Sequence, residues 1–214
     1  MALFDDCPST GSFSLFPETY PDANDVAVES QQPLRIYADG IYDLFHYGHI
    51  RLVKRIKAMF PNCFLIAGVC SDADTNLLKG PTLMNELERA EQVLACRYVD
   101  QVIVRCPWVI TQEFMQKHEI DLVVHGKDDS YDEHGNDVYA YVKSIGKFFS
   151  LMRTKSISTS DIIARVLKQN KLYLERSIKR GLSHSDLGIS YDTWSALKNE
   201  IGKNLCALPS CSKI

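Results

Sequence analysis

Apolar positions along this chain follow two periods in turn. LRIYA, from Leu34, is a short apolar run of strand length, and HIRLVKRIKAMF after it sets Leu52, Val53, Ile56 and Phe60 on one face at helical spacing. CFLIAGVC is a second apolar run, and SDADTNLLKG reads as a polar cluster entering a loop through Lys79-Gly80-Pro81. NELERAEQVLACR then predicts a helix, QVIVR a strand, TQEFMQKH a helix and DLVVH a strand. NDVYAYVKSIG looks helical, GKFFSLM extended, STSDIIARVLKQN helical, and KLYLERSIKRG a further helix. Strands alternating with helices of about a dozen residues imply right-handed crossovers and a mostly parallel sheet. The predicted fold is a Rossmann-like, doubly wound α/β domain.

The flanks read differently. Residues 1–32 hold six acidic groups (Asp5, Asp6, Glu18, Asp22, Asp25, Glu29), three prolines and no lysine or arginine, the composition of a disordered acidic arm. One folded domain is expected over 33–181, with a short extension over 182–214 in which Trp194, Leu197, Ile201 and Leu205 form an apolar stripe that packs on the domain. A net charge of −3 over 214 residues gives no bulk attraction to nucleic acid, so any anion must be met by a local cluster of basic groups. The seven cysteines are odd in number and form no CxxC pair, which fits a reducing compartment. Neither a signal peptide nor an apolar stretch of roughly 20 residues is present, so a cytoplasmic protein with little or no membrane binding is expected.

In doubly wound folds ligands bind where strands end and helices begin. Four polar clusters fall there: ADGIYDLFHYGH, SDADTNLLKG, HGKDDSYDEHGND and RTKSISTS. In the first, His46 and His49 flank Gly48 at the start of a helix, whose free N–H groups and positive dipole end favour an anion. Imidazole donors there can stabilise charge on a phosphoryl group. Two histidines at this spacing also serve as metal ligands, but no third ligand at metal spacing accompanies them, and no protein-held metal is expected. Ser158, Thr159 and Ser160 precede the periodicity of Ile162, Ile163, Val166 and Leu167, so they form the cap and first turn of a second helix. That is a capping motif first; Arg153 just upstream and Lys79 turn it toward anion binding. No GxxxxGK[ST] and no GxGxxG occurs, so a polyphosphate is not held as in P-loop or dinucleotide-binding folds. Nucleotidyl transfer is the chemistry these clusters point to.

RIYADGIYDLFHYGH, FPNCFLIAGVCSD, KGPTLMNELERAE, CRYVD, CPWVIT and ISTSDIIARV together resemble the cytidylyltransferase family, from about Arg35 to Gly181, with its HxGH and RTxxIST motifs. The resemblance implies the HxGH type of nucleotidyltransferase fold, and among the family's branches it favours transfer of cytidylyl from CTP to phosphocholine for phosphatidylcholine synthesis. By that resemblance His46, His49, Lys79 and Arg153 are catalytic. Nucleotide would be bound by Ala38, Asp39, Gly40, Ile41, Tyr42, His46, His49, Lys79, His125, Asp128, Arg153, Ser156, Ile157, Ser158 and Thr159. The choline and its phosphate would be met by Asp39, Lys79, Trp108, Tyr131 and Tyr139, because a quaternary ammonium is held by aromatic faces and a carboxylate. Without the family, Trp108 reads as a core anchor. Asp43 would brace the HxGH turn, Arg89 matches a family arginine, and Arg97 opens a segment implied at the interface of a homodimer. Mg²⁺ is expected to accompany CTP.

Departures from the family pattern set the alternatives. HGKDDSY replaces the usual choline-branch HDDIPY, and with HYGH and KGP it leans toward phosphoethanolamine, whereas Trp108, ADGIYD, GVCSD and STSDII lean toward phosphocholine. Lys155 and Ser156 stand where the family has Glu and Gly; if that glycine needs φ > 0, Ser156 carries strain of about 1 kcal/mol. A non-catalytic, nucleotide-binding regulatory relative is the alternative of another class.

Overall fold

In the computed structural model, which describes residues 32–126 and 131–206, the alternation becomes five strands and eight helices among the described residues. They run β1 (Arg35–Gly40), α1 (Tyr47–Met59), β2 (Phe64–Cys70), α2 (Asp72–Leu78), α3 (Glu86–Leu94), β3 (Gln101–Cys106), α4 (Gln112–Lys117), β4 (Leu122–Gly126), α5 (Ala140–Ser144), β5 (Phe148–Leu151), α6 (Thr159–Lys168), α7 (Asn170–Lys179) and α8 (Tyr191–Cys206). The expected acidic arm and Asp128 lie outside the described residues, Gln32 excepted.

All strand pairings are parallel, in the order β3-β2-β1-β4-β5. The order reverses beside β1, so the loop after β1 opens at the topological switch point, where doubly wound folds bind ligands. Strand periodicity builds the two faces. Ile36 and Ala38 on β1, with Leu65, Ala67 and Val69 on β2, pack against Val53, Ile56 and Met59 of α1 and Ala90 and Val93 of α3. The intervening Tyr37 and Ile66 join Phe114 and Met115 of α4 and Val142 of α5 on the opposite face. Each of the buried valine, leucine, isoleucine and methionine side chains among them contributes about 1.5–3 kcal/mol, the alanines less. Gly68 permits a close approach here, because a Cβ on it would lie 2.0 Å from the Tyr37 hydroxyl.

The strand ends lead into capped helices. Ser71 accepts from the Asp74 amide at 3.0 Å and caps α2, Thr111 accepts from Phe114 at 3.2 Å and caps α4, and Asn85 forms a full capping box with Glu88 on α3. SDADTNLLKG is therefore a helix with a cap, not only a loop entry. The helix expected from NDVYAYVKSIG is cut to five residues, because Asp137 and Tyr139 turn the chain before Ala140.

The described residues fall into two compact units. One runs to Phe45 and from His49 to Arg153, and contains the whole sheet; the other holds His46–Gly48 and the described chain from Thr154 onward. Within the second unit α7 and α8 pack together, with Ile178 and Ile201 buried, Lys171 paired to Glu200 at 2.6 Å, and the Trp194 indole donating to the Leu182 carbonyl at 3.0 Å. Trp194 and Leu197 of the expected stripe are half-buried; Leu205 lies outside the described side chains.

Candidate active site

β1 delivers Ala38, Asp39 and Gly40 to the C-terminal edge of the sheet, and Ile41 and Tyr42 follow in the loop. Asp39 is buried. Its Oδ2 accepts the Tyr139 hydroxyl at 2.8 Å, while its Oδ1 is buried without a hydrogen-bond partner. Burial, then the charge and hydrogen bond of Asp39, push the Tyr139 phenol above its ordinary range, so it stays a donor. The His125 ring, at the end of β4, lies 4.8 Å from the Tyr139 ring. Trp108 is half-buried against the same core face, and its indole donates to the Tyr131 carbonyl at 3.2 Å. Asp39, Trp108, Tyr131 and Tyr139 thus belong to one region, with Tyr131 exposed and Tyr139 buried.

The turn after β1 is strained. Tyr42 and Leu44 both adopt left-handed backbone, at φ 57° and 56°, without being glycine. Tyr42 is held there by its hydroxyl, which donates to the Ala38 carbonyl at 2.9 Å. In the turn's last residues the Gly48 amide donates to His46 Nδ1 at 3.1 Å, which leaves Nε2 as the protonated nitrogen of a neutral ring. A Cβ on Gly48 would meet the His46 ring at 2.9 and 3.0 Å and Ile157 at 3.3 Å. His49, in the first turn of α1, stacks on Phe45 at 5.9 Å and meets the edge of Tyr42 at 5.3 Å. Lys79 is the exposed C-cap of α2. Arg153 is exposed just beyond β5, with its Cγ 3.4 Å from where a Gly126 Cβ would lie.

In the second unit Ser158 caps α6, accepting the Asp161 amide at 3.1 Å, and Thr159 begins the helix. Ser156 does occupy a left-handed conformation, at φ 63°, where the family's glycine would be unstrained. Arg165 fixes it by donating to its carbonyl at 3.1 Å. Ile157 is half-buried beside Gly48.

A frame of charged groups holds the loops of the first unit, and most of it has no signature in the sequence. Arg89 is fully buried and donates to the carbonyls of Ile41, Cys70 and Met84 and to Asp72 at 2.7 Å. Asp43 accepts the amides of Leu83 and Met84 at 2.9 and 3.1 Å, so it ties the loop after β1 to the segment that follows the Lys79 loop. Asp72 and Glu86 exchange bonds, each amide donating to the other's carboxylate at 2.9 and 3.0 Å, and Glu86 also pairs with Arg105. The Asp72 amide and Arg105 hold the Glu86 carboxyl below its usual range. Burial pushes the Asp72 carboxyl up, but Arg89 and the Glu86 amide outweigh it and hold it low. Asp72, Glu86 and Arg105 escaped the sequence because their partners lie 14 to 19 residues away, beyond helical or strand spacing. Arg97 is exposed and stacks over Tyr98 at 5.1 Å. Among the described residues no group of three or more His, Cys, Asp or Glu side chains is placed to hold a metal ion.

Residues 37–165 match the Cytidylyltransferase-like family. The chain is 50% identical over 165 residues to choline-phosphate cytidylyltransferase 2 of Arabidopsis thaliana, covering 76% of this chain and 54% of that one. It is 47% identical over 162 residues to choline-phosphate cytidylyltransferase A of Rattus norvegicus, covering 75% and 44%. Ethanolamine-phosphate cytidylyltransferase of Dictyostelium discoideum is 36% identical over 146 residues, covering 68% and 40%. The chain spans about half the length of the curated relatives it matches. A parallel sheet with its switch point at the ADGIYDLFHYGH loop, together with this match over residues 37–165, shows that the chain belongs to the Cytidylyltransferase-like family.

Proposed function

We propose that this chain transfers the cytidylyl group of CTP to phosphocholine, giving CDP-choline and pyrophosphate. The observation that carries the choline end is Asp39: a buried carboxylate with one oxygen held by Tyr139 and the other unpartnered. Such a charge is costly unless a cation meets it. A quaternary ammonium offers no N–H donor, so a carboxylate already fixed by Tyr139, with Trp108 packed on the cluster that contains Tyr139, suits it. The relatives support the same choice: those named for choline-phosphate run from 41% to 50% identity, those named for ethanolamine-phosphate from 35% to 36%.

In this reading a phosphate oxygen of phosphocholine attacks the α-phosphorus of CTP, and the bond to the β-phosphate oxygen breaks to release pyrophosphate. Little covalent chemistry is asked of the protein; positioning and charge neutralisation do the work. His46 Nε2–H and His49 donate to the α-phosphoryl oxygens as charge builds. Lys79 neutralises the triphosphate and the incoming phosphate, and Arg153 with Ser158 and Thr159 holds the leaving pyrophosphate. The loop residues Ala38 to Tyr42, with His125, Asp128, Ser156 and Ile157, complete the nucleotide contacts. Mg²⁺ would accompany CTP and supply further neutralisation of its phosphate charge. The catalytic domain spans 33–181, Arg97 lies in a homodimer contact, and the enzyme works in the cytoplasm, where Cys63, Cys70, Cys96 and Cys106 stay free thiols. Among the described residues no helix is long and apolar enough to cross a membrane.

Pyrophosphate release from CTP and Mg²⁺, with phosphocholine and phosphoethanolamine in parallel, tests the proposal. A preference of tenfold or more for phosphocholine is expected, equivalent to about 1.4 kcal/mol. Preference for phosphoethanolamine would move specificity to the His125-Gly126 segment. A folded chain that binds CTP but turns over neither acceptor would be a non-catalytic relative.

A further inference from the structure

The β2–β3 ladder runs Gly68↔Ile103 and Val69↔Val104, then jumps to Cys70↔Cys106. Arg105 is the extra residue of that bulge, and its φ is 56°. Side-chain parity makes this consequential, because a one-residue slip sends every following side chain to the other face. Paired without the bulge, Cys106 would fall on the face of Val69 and α3; with it, Cys106 joins Cys70 and Tyr139 on the opposite face. Pro107 and Trp108 follow directly, with Trp108 packed on that same face.

Stability does not explain the choice of arginine. Its side chain is 69% exposed, so although Glu86 is buried the pair is screened from the arginine side and stabilises only modestly. Glycine or asparagine would hold the left-handed backbone with less strain. What arginine adds is a tie: it pairs with Glu86, which is bound in turn to Asp72 and through Asp72 to Arg89. A strained residue over-determined in this way next to a candidate site points to function.

We propose that Arg105 is a positioning residue for the acceptor, fixing through its bulge and its Glu86 tie the segment that aims Trp108 at the ammonium group. The inference rests on the phosphocholine reading above. Arg105→Gly keeps the left-handed backbone and removes only the tie. Relief of the left-handed strain offsets the lost Glu86 pair, so its melting temperature should change by no more than a few degrees, while KM for phosphocholine rises about five- to tenfold and KM for CTP changes less than about twofold, since the misplacement touches one substrate only. Arg105→Lys, which keeps the charge, should recover much of the loss. Unchanged KM values, or both rising together with a lower melting temperature, would overturn the proposal.

A second measurement separates this inference from the proposed activity. The chain has two tryptophans, so Trp194→Phe leaves Trp108 as the sole indole. In that background Arg105→Gly should raise acrylamide quenching of Trp108, with or without turnover. Quenching unchanged by the substitution refutes the positioning role. Altered quenching in a chain that uses neither acceptor keeps Arg105 as the residue that places Trp108 and discards the phosphocholine reading alone.

Discussion

Gly48 is where one hydrogen atom in place of a methyl decides the state of a catalytic candidate. A Cβ there would press on the Cε1 and Nδ1 atoms of His46, the far end of a side chain that can rotate away. Gly48→Ala should therefore cost little stability, yet it moves the imidazole and disturbs the amide bond to Nδ1. Turnover is expected to fall tenfold or more with the circular dichroism spectrum unchanged, a combination read by steady-state kinetics beside thermal melting. His46, Gly48 and His49 were legible because chemistry and spacing coincide in seven residues. Tyr42, Leu44 and Arg105 were not legible as left-handed positions, since none is glycine or asparagine, the usual sign of that backbone, whereas Ser156 was flagged by the glycine the family carries there.

At the scale of elements, α6 depends on its own ends. None of its residues is buried, and Val166 and Leu167 stand 50% and 63% exposed, so tertiary packing contributes little to holding it. Its cap then matters more than a cap on a packed helix. Ser158→Ala removes the acceptor for the Asp161 amide and should cost about 1 kcal/mol. Hydrogen exchange should report it as faster exchange of the amides of 159–162, with the sheet amides unchanged; uniform acceleration across the chain would contradict a local role. Ser158 was readable as a cap because an apolar period begins just after it. α2 was missed as a helix because its seven residues carry too few apolar positions to show a period, although Ser71 with Asp74 three residues on is the capping signal that marks it.

For the whole molecule, the charged frame that joins the loops makes stability depend on pH. Asp72 and Glu86 both titrate below their ordinary values in the folded chain, and Lys143 with the Tyr139 amide outweighs burial to lower Asp137 as well. Carboxyls depressed by folding contribute fully above their unfolded pKa, about 4. That contribution is lost as pH falls through the lower native values. Urea midpoints should be flat from neutrality to about pH 5 and fall below it, and Glu86→Gln should lower the midpoint near neutrality while flattening the acid limb. Because these pairs are partly exposed, salt should weaken the dependence.

The sequence by itself determined the alternation of strands and helices, the parallel sheet it requires, the HxGH turn and the RTxxIST cap. Each is written in local periods or in contiguous residues, where neighbours along the chain are neighbours in space. Tertiary structure alone decided the strand order, the Asp39–Tyr139 bond across 100 residues, the burial of Arg89 among three carbonyls, and the bulge that turns Cys106 toward Cys70. These contacts join residues from separate crossovers, and which crossovers meet is set by how the sheet orders its strands, information that no local period carries.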